Sequence, residues 1–451
     1  MRQEQTPLSV EQQRRGMRAL GAFAILNSFS FETISGQILI LFARQVGASV
    51  RQIGILSSFL PLSSLIQVAV TPLVNTFGPK AIMAAGWTAR TVVAVALLFV
   101  PAVTERYGAP RGTFLLLAVM LLYHLCRALG VSSWPQLLQD IVPLRLRGKF
   151  LSRQELLRQI AVVSVSILTA GYLFGNPSLE RFLHIIGAGV GAAFISLIFA
   201  YQVPHIPPSG KPALAGFWQR TWQPLRDIRF RQYLAFSITL KLALTALPTF
   251  VIVFLRDRLH LSPTGVLFFT CLGNVGAMST LSLWGRVTDR YGCKPIIGLC
   301  LPGMCLVPLG WAGVTSTPLG TWGWGSCVSF WSGLVSAGLY VATSKYELGI
   351  IPREERAHYV ALSVMSAGLA GGLSSRLAGE ILERLQHLSW HLGDYRIDNF
   401  RLFFLGTFGL SLIPLFLRRG LQEENVRSAR SLVKAYVRQR SRRWRERGKG
   451  G

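Results

Sequence analysis

The sequence predicts an all-α integral membrane protein, with twelve transmembrane helices arranged as two six-helix halves. Three observations predict it. The 451 residues are 51% hydrophobic and only 15% charged, with a mean hydropathy of +0.41, whereas a soluble domain carries about 25% charged residues. Apolar windows long enough to cross a bilayer, about 20 residues each, recur along the whole chain. Lys and Arg are concentrated in the N-terminal segment, the loops after even-numbered spans and the tail taken together, as topology requires. The windows are continuous, so they lack the alternation of a membrane β-barrel. Helices satisfy their own backbone in lipid, and the apolar content excludes disorder.

The elements follow in order. Residues 1–18 form a polar N-terminal segment. The apolar run after Arg18 is too long for the core of a signal peptide and is expected to remain as the first span. Spans 1 to 6 fall at about 19–43, 53–75, 79–101, 113–138, 152–174 and 183–203, giving a first half over 19–203. A linker over 204–231 carries Pro204, Pro207, Pro208, Pro212 and Pro224. Spans 7 to 12 fall at about 232–255, 263–284, 294–315, 321–344, 357–379 and 400–417, giving a second half over 232–417. Residues 418–451 form a basic tail.

The N-terminal segment, the loops after even-numbered spans and the tail hold 32 Lys and Arg, and the opposite loops hold 10. The basic side is cytoplasmic by the positive-inside rule. Both termini are therefore expected in the cytoplasm, and the chain in the plasma membrane (a bacterial inner membrane) as a multi-pass protein. The net charge of +27 and pI of 10.9 would by themselves suggest a nucleic-acid partner. Topology accounts for most of that charge, so no nucleic acid is expected. In the tail, Val426, Ala429, Val433, Val437 and Trp444 form an apolar stripe among twelve cations. This suits an amphipathic helix on anionic inner-leaflet lipid. A disordered tail that only sets topology is the plainer alternative.

Catalytic chemistry is not indicated. Cys126, Cys271, Cys293, Cys300, Cys305 and Cys327 show no metal or redox spacing, and no nucleophile–base set or phosphate loop stands out. No enzyme activity, cofactor or metal is expected. Gly187, Gly189 and Gly191 lie inside span 6 with no strand before them, so they read as close helix packing. Gly368, Gly371 and Gly372 in span 11 read the same way.

An internal repeat is visible. Asp289-x-x-Gly292-x-Lys294, after span 8, matches Asn75-x-x-Gly78-x-Lys80, after span 2. Pro352-x-x-x-Arg356, after span 10, matches Pro143-x-x-x-Arg147, after span 4. The offsets, 214 and 209, are nearly equal. Duplicated six-helix halves place a binding site near the midplane at their interface.

The run Gly285-Arg286-Val287-Thr288-Asp289-Arg290-Tyr291-Gly292-Cys293-Lys294 resembles the loop signature of the major facilitator superfamily, whose form is roughly Gly-x-x-x-Asp-Arg-x-Gly-x-Arg/Lys-Lys/Arg. The first-half copy is degenerate, with Thr71, Asn75 and Thr76 where Gly, Asp and Arg would stand. The resemblance implies the superfamily's twelve-helix fold and solute transport. It also implies that Gly285, Asp289, Arg290, Gly292 and Lys294 form a cytoplasmic gate, with Asn75, Gly78, Lys80, Arg147 and Arg356 as companions. The neutral Asn75 puts the first-half latch in doubt. Independently of the family, Gly292 permits a tight reversal, and Asp289 can accept bonds from Arg290 or a neighbouring helix start.

Charges inside spans are costly and face the protein interior. Glu32, mid-span 1, is matched by Lys241, mid-span 7, at the offset of 209. Glu32 is the candidate proton carrier, and Lys241 the candidate to bind substrate or the empty-state carboxylate; a static ion pair is the plainer alternative. His124 and Arg127 share one face of span 4, and Arg127 suits a carboxylate or phosphate. Arg90, in span 3, is expected to be structural, paired with Glu32 or a carbonyl. Arg158 is expected to snorkel, and Arg376 to snorkel or pair with Glu380. Gln37, Gln67, Asn274, Trp331 and Ser332 could complete a site.

The expected function is secondary active transport of a small polar, anionic or amphiphilic solute by alternating access, coupled to protons. The protein is expected to act as a monomer. A non-transporting membrane sensor or assembly factor is the alternative.

Overall fold

The structure is a computed structural model that describes residues 9–175, 177–204, 220–352, 355–392 and 395–422. The linker core and the basic tail from residue 423 lie outside the described residues, as does any amphipathic helix expected there.

Long helices occupy all twelve expected spans. Eleven of them carry a window apolar enough to cross a membrane, among the described residues. Span 5 is the other: its helix, Leu144–Tyr172, is 29 residues long, but polar residues such as Arg153, Glu155 and Arg158 dilute its cytoplasmic half. Large apolar side chains face outward, with Phe114 73% and Phe174 74% exposed, as contact with lipid requires.

Several spans are broken, and the sequence explains where. Span 1 is two helices, Val10–Ser35 and Gln37–Val46, joined at Gly36. Span 7 is likewise two, Ile228–Leu244 and Leu247–Asp257, with Pro248 at the start of the second. In span 3, Pro79–Val95 passes through a 3₁₀ turn at Ala96–Phe99 into Val100–Tyr107. Pro101 has no N–H to give to the carbonyl four residues back, which loosens that turn. Span 4 runs over Ala109–Ser132 and restarts at Trp134–Ile141, where Pro135 has the same effect. Span 2, Val50–Phe77, begins on a capping box in which Ser49 and Gln52 bond reciprocally.

The remaining helices are Leu179–Tyr201 (span 6), Pro263–Tyr291 (span 8), Cys293–Ala312 (span 9), Gly325–Ile350 (span 10), Arg356–Arg384 (span 11) and Asn399–Leu417 (span 12). A π turn, Leu319–Trp324, leads into span 10. One feature the sequence reading did not anticipate is a small antiparallel hairpin after span 11, β1 (Ser389–Leu392) and β2 (Tyr395–Asp398), with Ser389 opposite Asp398.

Two compact units emerge. One comprises Met1–Trp222, Thr245–Phe268 and Val360–Phe400; the other comprises Gln223–Leu244, Phe269–Tyr359 and Arg401–Gly451. The first unit thus takes the outer arm of span 7 and most of span 11 along with spans 1 to 6. Small residues explain that grouping. A Cβ on Gly54 of span 2 would lie 2.8 Å from the Cα of Gly379 in span 11, and Ser64 Oγ donates to Val364 O at 3.3 Å. Lipid offers no hydrophobic drive between helices, so close approach of this kind carries the packing. Ion pairs reinforce it: Arg44 grips Asp257 through Nη2–Oδ2 at 2.6 Å and Nε–Oδ1 at 3.2 Å. Arg51 pairs with Glu380 at 2.8 Å. These pairs lie on the side opposite the basic loops.

Within the first unit, spans 1, 3, 4 and 6 share a core built on Leu20, Phe23, Trp87, Leu137, Ile141 and Val203. Phe23 meets Trp87 edge to face at 5.3 Å.

Candidate functional site

The site starts from two glycines. A Cβ on Gly86 of span 3 would sit on the backbone nitrogen of Gly130 in span 4, so only glycine lets these backbones touch. Arg90 lies one turn beyond Gly86, and Arg127 one turn before Gly130. Antiparallel helices that cross at the glycines therefore bring both arginines to the same level. Span 1 closes the third side, and Gly189 of span 6 lets it seat, because a Cβ there would overlap Thr33 Oγ1.

Arg90 is 1% exposed. Its guanidinium is packed 4.5 Å from the centroid of Trp87 and 5.2 Å from that of Tyr123. One nitrogen, Nη2, reaches Ser30 Oγ at a long 3.5 Å, while Nε and Nη1 have no acceptor among the described residues. His124, equally buried, shares a hydrogen bond with Ser35 Oγ at 3.2 Å through Nε2 and stands edge-on to Tyr123. Its Nδ1 is unpaired. Arg127 is half-buried, lies 4.9 Å over the Phe31 ring, and leaves Nε unpaired. Both arginines act on His124 as neighbouring cations, and Arg90 acts on Arg127. Asn27 Oδ1, Gln37 Oε1, Trp87 Nε1 and Tyr123 OH are also buried without a partner among the described residues.

Magnitudes show that this cluster is incomplete. A cation–π contact contributes about 0.5 to 2 kcal/mol. An ion taken out of water without a counter-charge costs several kcal/mol. No carboxylate pairs with Arg90 or Arg127 among the described residues, so stacking on aromatic faces leaves a deficit. The arrangement can accept an anion.

The other expected residues are placed as follows. Glu32 is half-buried, lies four residues before the break at Gly36, and makes no hydrogen bond or ion pair among the described residues. The cation that acts on it is Arg158 of span 5. Lys241 lies four residues before the break in span 7, in the second unit. The carboxylate acting on it is Glu347 of span 10, which accepts from Tyr233 OH at 2.9 Å. Asn274 carries an unpaired buried Nδ2. Trp331 donates from Nε1 to Gly303 O at 3.0 Å and packs on that glycine.

At the loop expected to form a gate, Asp289 is bonded by Lys345 of span 10, while Arg290 lies over its neighbour Tyr291. The partner is thus a cation from another helix, because Arg290 points along its own. Gly78 and Gly292 both turn at positive φ, +86° and +89°, values open to glycine and strained for other residues. Nothing approaches Gly285. Lys80 and Lys294 open spans 3 and 9, and Arg356 opens span 11, exposed. The side chains of Asn75 and Arg147 lie outside the described residues.

Of the two alternatives for Arg376, the pair with Glu380 is not formed among the described residues, because Arg51 and Arg384 hold that carboxylate. Arg158, expected to snorkel, forms an i,i+3 pair with Glu155 at 2.7 Å. The Gly86–Arg90 spacing shows its meaning only once Gly130 is seen opposite. Trp87 and Tyr123 carried no signal, since aromatic residues in spans are ordinary.

The fold and the buried polar interior define a polytopic membrane protein of transporter type. The sequence model of the Major Facilitator Superfamily matches residues 20–375, and the chain belongs to that family. It is a membrane transporter, not an enzyme. No curated protein matches it in sequence. Its fold is similar to that of a D-xylose–proton symporter, at 16% identity and a TM-score of 0.70, covering 92% of this chain and 99% of that one. It is also similar to the nucleoside transporter NupG in a single-site mutant form, at 15% identity and 0.69, covering 91% and 100%. A bacterial homologue of the human lysosomal transporter Spinster matches at 14% identity and 0.66, covering 92% and 98%.

Proposed function

We propose that the chain is a secondary active transporter that moves a small anionic or amphoteric solute by alternating access, coupled to protons. The observation that carries this reading is a pair of intramembrane charges, Glu32 and Arg127, with no hydrogen bond or ion pair among the described residues. A charge kept inside a span without a partner is expensive and is explained by what it binds. Arg127 offers five donors in a fixed fork to an anionic group. Glu32 is the residue that takes up and releases the coupling proton. A proton symporter among the structural neighbours supports the coupling. The basic loops support a plasma-membrane orientation with both termini inside.

The test is uptake into proteoliposomes with an imposed pH gradient, using a panel of small anions. Wild-type protein is expected to accumulate solute as the inside is made alkaline, and Glu32→Gln to lose gradient-driven accumulation while retaining exchange. Gradient-driven uptake by Glu32→Gln equal to wild type from mildly acid to mildly alkaline medium would sink the proton role.

A further inference from the structure

The unpaired groups around Arg90 specify more than a negative charge. A guanidinium stacked on Trp87 and Tyr123 has its faces covered, but its N–H donors lie in the ring-like plane and point past those faces. In Arg90 two of the three nitrogens have no acceptor. Trp87 Nε1 and Tyr123 OH, on the residues that flank it, are unpaired as well. Arg127, one helix away, makes no hydrogen bond among the described residues and is only half-buried, so it is the accessible member of the pair. The donors come from two helices, carry two full charges, and meet no carboxylate among the described residues.

We infer that Arg90 and Arg127, with Trp87 Nε1 and Tyr123 OH, bind a compact doubly charged oxyanion, a phosphate or the phosphoryl group of a phosphate ester. A single carboxylate would cancel one charge and offer two oxygens. A phosphoryl group brings close to two negative charges and three strong acceptor oxygens, which matches both the charge and the donor surplus. Arg127 meets the group first, and Arg90 holds it from behind. Arg90 is then a ligand-binding residue and not a packing residue. This inference rests on the anion-transport reading above and names its substrate class.

The experiment is equilibrium binding of radiolabelled inorganic phosphate to the full-length purified protein in detergent, at constant ionic strength, with unlabelled chloride and succinate as competitors. Phosphate is expected to bind and to raise the midpoint of thermal unfolding, with chloride and succinate competing poorly. Arg127→Gln should weaken binding about a hundredfold, and Arg127→Lys about tenfold because the charge remains and the fork is lost. Tyr123→Phe, which removes one donor and leaves the ring stacked, should weaken it about tenfold. Arg106→Gln, at an exposed site outside the membrane core, should bind as wild type. Arg90→Gln is informative if it folds; Arg127 and Tyr123 keep the test decisive if it does not.

Absence of phosphate binding, binding unchanged in Arg127→Gln, or succinate binding more tightly than phosphate would overturn the inference. Its failure is distinguishable from failure of transport. Accumulation of another anion by a protein that ignores phosphate removes only the phosphoryl site. Phosphate binding without uptake of any solute removes only the transport reading.

Discussion

Span 1 breaks at Gly36 and span 7 at Thr245–Ala246, the same place in each half once the offset of 209 read from the sequence is applied. The loops after spans 2 and 8 turn on Gly78 and Gly292 with nearly the same backbone angle. The backbone devices of the two halves therefore agree. Their electrostatics do not. In the first half the interior holds Arg90, His124 and Arg127; the positions matching Arg90 are Leu299 or Met304, and those matching His124 and Arg127 are Gly333 and Ser336. In the loops the order is reversed. The second half has the pair Asp289–Lys345, where the first has the neutral Asn75 and Gln136.

The difference teaches that a duplicated scaffold keeps what the backbone needs and divides what the side chains do. A positive-φ turn admits few residues other than glycine, so both copies keep it. A charge inside a span is retained only where it has an occupation. The first half places that cost in Arg90, His124 and Arg127, and the second carries the ion pair between Asp289 and Lys345.

Three substitutions would break or sharpen this contrast, from the largest effect to the smallest. Gly86→Leu forces the crossing of spans 3 and 4 apart, and it should abolish recovery of monodisperse protein on size exclusion, a loss beyond the few kcal/mol of ordinary overpacking. A well-folded Gly86→Leu protein with phosphate binding intact would show that the glycine contact does not build the site. Met304→Arg puts a buried cation where the second half has no donors' partner to offer; Met304 is 8% exposed. It should destabilise by about 3 kcal/mol or more, read as a fall in thermal midpoint that added phosphate does not reverse. Rescue by phosphate would mean that either half can host the anion.

Asp289→Asn makes the second loop resemble the first. The pair is largely exposed, with side chains 46% and 75% accessible, so its loss should cost under about 1 kcal/mol. The expected change is instead in hydrogen exchange at the cytoplasmic ends of spans 8 and 10. The double variant Asn75→Asp with Gln136→Lys should slow exchange at the matching ends of spans 2 and 4. Unchanged exchange in both proteins would remove the latch from the comparison.

Much of the fold was legible in the sequence because a bilayer applies one rule to every span. Length and apolarity located the helices, and Lys and Arg the loop sides, without reference to any partner. The breaks near Gly36, Pro101, Pro135 and Pro248 were not legible in the same way, since Pro61, Pro72, Pro302, Pro308 and Pro414 lie inside continuous helices. The candidate site was legible only in part. Glu32, His124 and Arg127 stand out because a polar residue in an apolar run needs no structure to be noticed. What each one touches is a different kind of fact. Glu32 feels Arg158, Lys241 feels Glu347, and Asp289 bonds Lys345, all across helices whose facing sides no periodicity reveals.

The recurring apolar windows and the placement of Lys and Arg in the loops by themselves determined a twelve-span membrane protein with a basic side, since solvation energy depends on composition along one helix at a time. Whether a buried cation is satisfied depends on three or four helices at once. Only the tertiary structure, by closing Gly86 on Gly130, set two arginines at one level with Nε and Nη1 of Arg90 and Nε of Arg127 unpaired among the described residues.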